Sequence, residues 1–319
     1  MIAIGFDTSN YTTSIAAHDG LQPLNCSRLL DVKQGQLGLR QSDALFAHIK
    51  RLPELADRLF SNIDPTRIRA VGVSTRPRAV EGSYMPCFLA GQSQARVLAQ
   101  ALRVPLYEFS HQQGHIAAAL WSANRMDLLQ RPHLAWHLSG GTTEFLYVHT
   151  ENGQLLAEKI GGTSDISAGQ LIDRTGVLMG CSFPAGKQID QLAQGSQSGD
   201  FFRVRLQGYT FSFSGVENQV QRYYAKSGCR EDTARFALLS VIHAIIQTTK
   251  NAQKQYAGLP VVFSGGVASN TLLRQSCSGF EALFAAPEYS TDNAMGIALL
   301  AWLRGNEDGT NDLHCHPGQ

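Results

Sequence analysis

Apolar and polar positions alternate along the chain in a way that predicts strands and helices following one another. Residues 2–17 read IAIGF, then DTSNYTT, then SIAAH, which predicts a strand, a turn of small polar residues and a second strand. Apolar residues at helical spacing predict a helix from Ser42 to about Ile63, kinked or split by Pro53. The run AVGVST at 70–75 predicts a buried strand.

The same alternation continues to the end of the chain. The remaining predicted elements are, in order, a helix over 92–102, a strand at VPLYEFS, a helix at HQQGHIAAALWSA, a second strand-turn-strand in LAWHLSGGTTEFLYV, a helix over 233–253, a strand and glycine turn in PVVFSGGVASN, and a closing helix in NAMGIALLAWLRG capped by Gly305. Such alternation implies an α/β fold. The second strand-turn-strand has the same pattern as the first, with small polar residues between two apolar runs.

The composition is typical of a soluble cytoplasmic protein, and the chain is long enough for two lobes. The chain has 319 residues, longer than one ordinary domain, and 27 basic against 26 acidic residues give a net charge of +1. No overall field therefore draws it to nucleic acid or to an anionic membrane. The six cysteines are scattered without a C-x-x-C pair, which favours free thiols in a reducing cytosol. We find no signal peptide and no apolar stretch of about 20 residues, so we expect no membrane contact.

Three turns rich in small residues follow apolar strands, at 7–13, 139–143 and 264–270. Backbone N–H groups in such turns can cradle an anion, although tight hairpins also select Gly and Ser for steric reasons. None matches the P-loop, and none has G-x-G-x-x-G with a following acidic residue. Two hairpins and a third turn suit the actin-like ATPase architecture, in which two related lobes clamp a nucleotide.

His111 and His115 lie four residues apart in a predicted helix, so they share a face and could chelate one metal ion. A metalloprotease of the H-E-x-x-H type would need a glutamate where the chain has Gln112, so that activity lacks its base. A histidine pair that only packs in the core or lies on the surface is the alternative. The terminal 313–316 segment, LHCH, also offers ligand types, but a mobile tail with stray ligands is the simpler interpretation.

Eight segments together resemble a known family. They are GFDTSNYTTS, SHQQGHIAAAL, HLSGGTTEF, TSDISAGQLIDRTG, FPAGKQID, FSFSGVENQV, VFSGGVASNTLLR and STDNAMGIALLA. In this order they resemble the TsaD or Gcp-like family, whose members are tRNA threonylcarbamoyl-adenosine synthases with an older name as O-sialoglycoprotein endopeptidases. The resemblance implies a two-lobed actin-like ATPase fold with duplicated lobes. We expect an N-terminal lobe at 1–105, a C-terminal lobe at 106–305 whose closing helix (293–304) packs on the first lobe, and a mobile tail at 306–319.

The resemblance also implies site residues. One iron or zinc ion would be held by His111, His115 and Asp292, leaving coordination positions for water or substrate oxygens. ATP or an acyl or carbamoyl adenylate would be held by Ser139, Gly140, Gly141, Thr142, Asp173, Gly186, Asp190 and Asn270. Simpler roles exist for three of these residues: Asp292 and Asn270 could cap helices, and Asp173 could form a surface ion pair with Arg174. The phenylalanines of FSFSGV are expected in the core.

The sequence departs from the family's pattern near the proposed site. Where family members carry an E-T-S-C-D-E-T run, this chain has DTSNYTT, so Tyr11 and Thr12 replace two acids. Thr142 stands where the family has a histidine in S-G-G-H-T, and the segment 164–166 reads SDI in place of L-D-D. The chain is therefore interpreted as a divergent paralogue, with Asp7, Thr12 and Thr142 as the candidates for catalysis.

Three functions are compatible with these patterns. The leading hypothesis is a transferase that moves a carbamoyl or threonylcarbamoyl group from an adenylate to an acceptor amine, by positioning and electrostatic stabilisation. It implies an adenine nucleotide as ligand, with tRNA, an adenylate-forming enzyme and a dimerising family partner as candidate partners. The second hypothesis is a non-catalytic partner protein that responds to nucleotide. The metalloprotease ranks last because of Gln112.

Overall fold

A computed structural model describes residues 1–9, 12–31, 40–80, 82–151, 153–277, 279–289 and 294–314, with side chains to residue 307. The chain divides into two compact units. Unit 1 comprises Met1–Trp121 and Asp292–Gln319, and unit 2 comprises Ser122–Thr291.

Strands form one mixed sheet in each unit. In chain order they are β1 (Ile2–Thr8), β2 (Thr12–His18), β3 (Pro23–Leu29), β4 (Ile68–Arg76), β5 (Leu106–Ser110), β6 (His133–Leu138), β7 (Thr143–Glu151), β8 (Gln154–Thr163), β9 (Thr210–Phe211), β10 (Val261–Ser264) and β11 (Ala282–Phe284).

Helices connect and cover the sheets. In chain order they are α1 (Gln41–Phe60), α2 (Leu89–Leu102), α3 (His111–Ser122), α4 (Ala168–Leu178), α5 (Gly186–Gln194), α6 (Ser214–Ser227), α7 (Arg230–Ala252), α8 (Thr271–Ser276) and α9 (Ala294–His314). Within the described part of the chain, no helix combines the length and hydrophobicity needed to cross a bilayer.

The two sheets share one topology. In unit 1 the strand order is β3-β2-β1-β4-β5, with β1–β3 antiparallel and β4 and β5 parallel to β1. In unit 2 the corresponding order is β8-β7-β6-β10-β11, with β9 added at the β8 edge and the same pattern of directions. The hairpin β6–β7 is thus the counterpart of β1–β2. The predicted duplication of a strand-hairpin lobe is confirmed by this topology.

Most predicted elements are confirmed, and two details differ. Pro53 lies inside α1, which runs without interruption from Gln41 to Phe60. Gly305 does not cap the closing helix, because α9 continues past it to His314. A Cβ at Gly305 would lie 2.5 Å from Met1 Cε, the end of a flexible side chain, and 3.2 Å from Ala70 Cβ. Residues 315–319 of the predicted tail lie outside the described residues, while 306–314 continue the helix.

The helix α3 belongs to unit 1, whereas we expected the second lobe to begin at residue 106. Close packing on α9 accounts for this division. A Cβ at Gly296 of α9 would lie 2.0 Å from the carbonyl oxygen of Gly114 in α3, so the two helix backbones touch through glycine. Both helices thereby pack in unit 1, and the chain passes to unit 2 at Ser122.

Candidate functional site

In unit 1, polar side chains gather where the parallel strands end. Asp7 lies near the end of β1, Ser74 near the end of the adjacent β4, and His111 directly after β5. The Asp7 Oδ2 atom is 2.8 Å from His111 Nδ1, and Ser74 Oγ donates to Asp7 Oδ1. This is the edge at which open α/β sheets commonly bind ligands.

The two predicted metal ligands lie on the first turns of α3. Their ring centroids are 4.7 Å apart, and the His111 side chain is about one quarter exposed. Because His111 Nδ1 is engaged with Asp7, Nε2 is the ring nitrogen that would bind a metal. A pair of imidazoles, one of them bonded to a carboxylate through Nδ1, has ligand chemistry that suits iron or zinc. The third predicted ligand, Asp292, lies outside the described residues. Among the residues that the structure describes, no three His, Cys, Asp or Glu side chains cluster to hold a metal.

Buried groups surround this edge. His48 of α1 is fully buried, and its Nδ1 is 2.8 Å from Thr13 Oγ1. Burial lowers the pKa of His48 to about 4, so its ring is neutral near pH 7. Burial and the charge of Asp7 raise the pKa of the Cys87 thiol to about 11, so this cysteine is not a thiolate nucleophile.

The catalytic candidates differ in access. Asp7 is 2% exposed and both its carboxylate oxygens have intramolecular partners, so it is a poor base for an incoming amine. Thr12 is half-buried at the start of β2, opposite Leu29, and Thr142 is half-buried in the β6–β7 turn. Tyr11 lies outside the described residues.

In unit 2, the turn between β6 and β7 is fixed to the start of α4. Ser139 N donates to Thr142 O at 2.8 Å, which closes the turn. Ser167, the N-cap of α4, donates from Oγ to Gly140 O at 2.7 Å. A Cβ at Gly169 would lie 2.5 Å from Ser139 O, so this glycine permits the close approach. The hairpin is therefore held rigidly by α4.

A cavity of about 430 Å³ opens in unit 2 beside this hairpin. Its lining residues are Gly140, Gly169, Ile172, Asp173, Pro184, Gly186, Lys187, Asp190, Gly266, Val267, Ser269 and Asn270. Five of the eight predicted nucleotide residues are in this set, while Ser139, Gly141 and Thr142 lie in the hairpin next to it. The volume is in the range of pockets that bind small ligands and cofactors.

Two carboxylates of the cavity have different surroundings. Asp173 accepts one hydrogen bond, from Ala185 N to Oδ1 at 2.8 Å, and its Oδ2 accepts none from the described residues. Burial raises the pKa of Asp173, an effect that the bond from Ala185 partly offsets. Arg174 pairs with Glu217 at 2.8 Å, so the surface ion pair considered for Asp173 is not formed.

The carboxylate of Asp190 is instead occupied by the protein itself. It accepts from Asn270 Nδ2 at 2.9 Å and from both the backbone N and Oγ1 of Thr271. Asn270 also caps α8, because its Oδ1 accepts from Leu273 N at 3.0 Å. Asp190 and Asn270 therefore shape the cavity wall, and Asp173 is the carboxylate with an oxygen left to accept from a ligand hydroxyl.

Asp165 joins the segment after β9 to the β8–α4 loop. Its carboxylate accepts from Ser212 Oγ, Ser214 Oγ, Phe213 N, Ser214 N and Thr163 Oγ1. Partial burial opposes its ionisation, but these bonds outweigh it and hold the pKa of Asp165 well below its usual range. Phe211 and Phe213 are buried, as predicted for the phenylalanines of this segment.

We expect Asp165→Ala to lower the free energy of unfolding by roughly 1–3 kcal/mol, because several donors lose a charged acceptor at once. Asp200→Ala is the control, since Asp200 accepts one described side-chain bond, from Tyr223. Because the pKa of Asp165 is depressed in the folded state, its stabilisation is present above about pH 4 and is lost as pH falls. Urea unfolding at about pH 7 and about pH 3 would measure this, and the difference in the free energy of unfolding between Asp165→Ala and wild type should be smaller at about pH 3. An equal effect of both variants would contradict the prediction.

Comparison with known proteins agrees with the resemblance. The sequence pattern of the family described as TsaD, tRNA N6-adenosine threonylcarbamoyltransferase, matches residues 33–299. The chain belongs to the TsaD family. It is 29% identical to a tRNA N6-adenosine threonylcarbamoyltransferase of Carboxydothermus hydrogenoformans, over 95% of this chain and 92% of the relative. It is 30% identical to the protein of that name from Thermus thermophilus, over 95% and 93%. These identities fit a divergent TsaD relative.

Solved structures confirm the fold class predicted for this TsaD relative. Component A of the (R)-2-hydroxyglutaryl-CoA dehydratase of Acidaminococcus fermentans superposes with a TM-score of 0.56 at 15% identity, covering 96% of this chain and 99% of that one. A ROK hexokinase from Thermus thermophilus gives 0.51 at 15% identity, over 96% and 100%. Both have the actin-like ATPase fold, which is therefore the fold of this chain.

Three residues of these sites were not predicted. Ser74 could have been found from its place at the end of the strand parallel to β1. His48 shares the buried face of α1 with Ala44, Leu52, Leu55 and Leu59. That spacing predicts that His48 is buried, but it does not predict its bond to Thr13. Lys187, next to Gly186, is the one cation among the lining residues described for the cavity. Its place between Gly186 and Asp190, two predicted nucleotide residues, is a signal that could have indicated this position.

Proposed function

We propose that this protein is a threonylcarbamoyltransferase-like enzyme that moves a carbamoyl or threonylcarbamoyl group from an adenylate to an amine, with adenosine in tRNA as the acceptor. The observation that carries the proposal is the unit 2 cavity, which gathers residues implied by family membership for nucleotide binding. Curated relatives along almost the whole chain bear the name of this activity.

The cavity residues suit a nucleotide. The hairpin would offer the backbone N–H groups of Gly140 and Gly141 to phosphate, because those of Ser139 and Thr142 donate within the turn. Asp173 Oδ2 would accept from a ribose hydroxyl. A Cβ at Gly140, Gly141 or Gly186 would meet open space, so the fold does not require glycine there. Their lack of side chains would instead leave room for the ligand.

His111, His115 and Asp292, all of unit 1, would hold one iron or zinc ion. A bound ion supplies Lewis acidity toward an oxygen of a phosphate or carbamoyl group. Asp7 would keep the His111 ring in place, and His48, neutral by virtue of its low pKa, would not add a competing positive charge near the ion.

The transfer step is an acyl substitution. The acceptor nitrogen would form a bond to the carbamoyl carbon, the bond from that carbon to the phosphate oxygen would break, and AMP would leave as the amine loses a proton. Because Tyr11 and Thr12 replace family acids, the chain lacks two obvious bases, and positioning would supply most of the acceleration.

Reconstitution tests the proposal. Purified protein is incubated with ATP, threonine, bicarbonate, an adenylate-forming enzyme, a dimerising family partner and unmodified tRNA, and nucleosides are then analysed by mass spectrometry. We expect threonylcarbamoyladenosine to accumulate, and to be absent when this protein is omitted. Nucleotide binding without modified tRNA would reject tRNA as acceptor and favour a nucleotide-responsive partner protein. Cleaved protein substrate would favour the peptidase instead.

A further inference from the structure

One buried carboxylate in unit 1 contacts a predicted metal ligand without being a ligand itself. The side chain of Asp7 is 3% exposed, and Oδ2 lies 2.8 Å from His111 Nδ1. The other oxygen, Oδ1, accepts from Ser74 Oγ. Among the described residues no other side chain has a hydrogen bond to this carboxylate, so one oxygen bonds a residue of β4 and the other the first residue of α3.

We propose that Asp7 is a positioning residue that fixes the tautomer and orientation of His111, so that Nε2 is presented to a metal ion. The inference rests on the metal site of the proposed function. It gives Asp7 a role different from the catalytic one considered from sequence.

The chemistry of the contact determines the tautomer. An ionised carboxylate only accepts hydrogen bonds, so His111 must carry its ring proton on Nδ1 to make this contact. In a neutral imidazole the lone pair then lies on Nε2, the atom a metal would bind. A carboxylate bonded to Nδ1 also increases the electron density at Nε2 and thereby its strength as a ligand.

Burial separates this role from catalysis. A group that takes a proton from a substrate amine must come within hydrogen-bond reach of it, directly or through one water. Asp7 is buried on β1, and its two oxygens bond Ser74 of the neighbouring β4 and His111 at the start of α3. Of these two partners, His111 is the proposed metal ligand, so we infer that Asp7 acts on the site through His111.

Asp7→Asn is a suitable variant because asparagine has the same shape but no charge, and when its Oδ1 accepts from Ser74 Oγ its Nδ2 donor faces His111 Nδ1. Such a donor favours the His111 tautomer that carries its proton on Nε2 and so blocks metal binding there. Asp57→Asn is the matched control, since it makes the same substitution at an exposed aspartate of α1. Each protein is stripped with a chelator and titrated with Zn²⁺ against a competing indicator. We expect Asp7→Asn to bind Zn²⁺ about 10–100-fold more weakly than wild type, the range seen when such outer partners are lost. Asp57→Asn should remain close to wild type.

A second measurement needs no variant. The ¹⁵N chemical shifts of the metal-free wild-type protein should show His111 protonated on Nδ1 and unprotonated on Nε2, with Nε2 shifting on Zn²⁺ addition. A proton on Nε2 would overturn the proposal even if Asp7→Asn failed to fold.

The outcomes separate this inference from the proposed function. Equal Zn²⁺ affinity of wild type and folded Asp7→Asn would overturn the inference and leave the metal site standing. A wild-type protein that binds neither zinc nor iron would remove the metal site and this inference with it. Reduced affinity in Asp7→Asn without tRNA modification by wild type would keep the positioning role and reject the proposed acceptor.

Discussion

His111→Ala should purify with little or no bound metal and lose at least about 100-fold in transfer rate. The variant leaves two of the three proposed ligands, and structural or catalytic sites for zinc and iron need three or more protein ligands. A Lewis-acid ion contributes several kcal/mol to transition-state stabilisation, and each 1.4 kcal/mol corresponds to a factor of about ten in rate. Elemental analysis of the purified protein and single-turnover kinetics would measure both effects.

Gln112→Ala is the control for this experiment. Gln112 lies between the two histidines, but the contact that holds it is made by its backbone N, which donates to Pro77 O at 3.0 Å. Metal content and rate should therefore stay near the wild-type values. Asp292→Ala should lose bound metal and transfer rate to a similar extent as His111→Ala. Full metal content in both His111→Ala and Asp292→Ala would reject the assignment, whatever the rate.

The architecture was predictable because its signals are local. Apolar runs that flank DTSNYTT and SGGTT specify two hairpins, and the structure places these as β1–β2 and β6–β7 in sheets that share the order of five strands. The spacing of His111 and His115 predicted that they share a helix face, and their rings do lie 4.7 Å apart. Elements whose signal is contiguous in sequence were therefore predicted correctly.

What could not be predicted depends on contacts between distant residues. Asp190 accepts from residues about 80 positions away, so its place among the nucleotide candidates gave no hint that the protein itself saturates its carboxylate. Gly305 is a residue type that often follows the end of a helix, but α9 continues past it to His314. Asp7 likewise looked like an accessible acid in a polar turn, and only burial beside Ser74 and His111 excludes that interpretation.

Asp173→Ala and Asp190→Ala should weaken nucleotide binding for different reasons. In Asp173→Ala the fold loses one described hydrogen bond, from Ala185 N, so the free energy of unfolding should fall by only about 1 kcal/mol. The ligand would lose a charged acceptor, which is worth about 1.5–3 kcal/mol and corresponds to roughly 10–100-fold in the nucleotide Kd. Isothermal titration calorimetry with ATP and with AMP would measure this change in Kd.

In Asp190→Ala the donors on Asn270 and Thr271 lose their acceptor, so we expect a loss of roughly 2–4 kcal/mol in stability together with weaker binding. Thermal unfolding without nucleotide separates the two variants: Tm should fall clearly in Asp190→Ala and slightly in Asp173→Ala. Unchanged ATP affinity in a folded Asp173→Ala would show that this carboxylate does not touch the nucleotide.

Acidification offers an independent test of Asp173. Burial raises the pKa of its carboxyl group, so the group gains a proton at a higher pH than an ordinary aspartate does. A protonated Asp173 is a weaker acceptor for a ribose hydroxyl. On acidification, the affinity of wild type for nucleotide should therefore begin to fall at a higher pH than the protonation of ATP alone would cause. In Asp173→Ala that part of the pH dependence should vanish, because the titrating group is gone. If the variant keeps the full pH dependence, the acidic loss of binding belongs to another group, and the ribose contact must be sought elsewhere in the cavity.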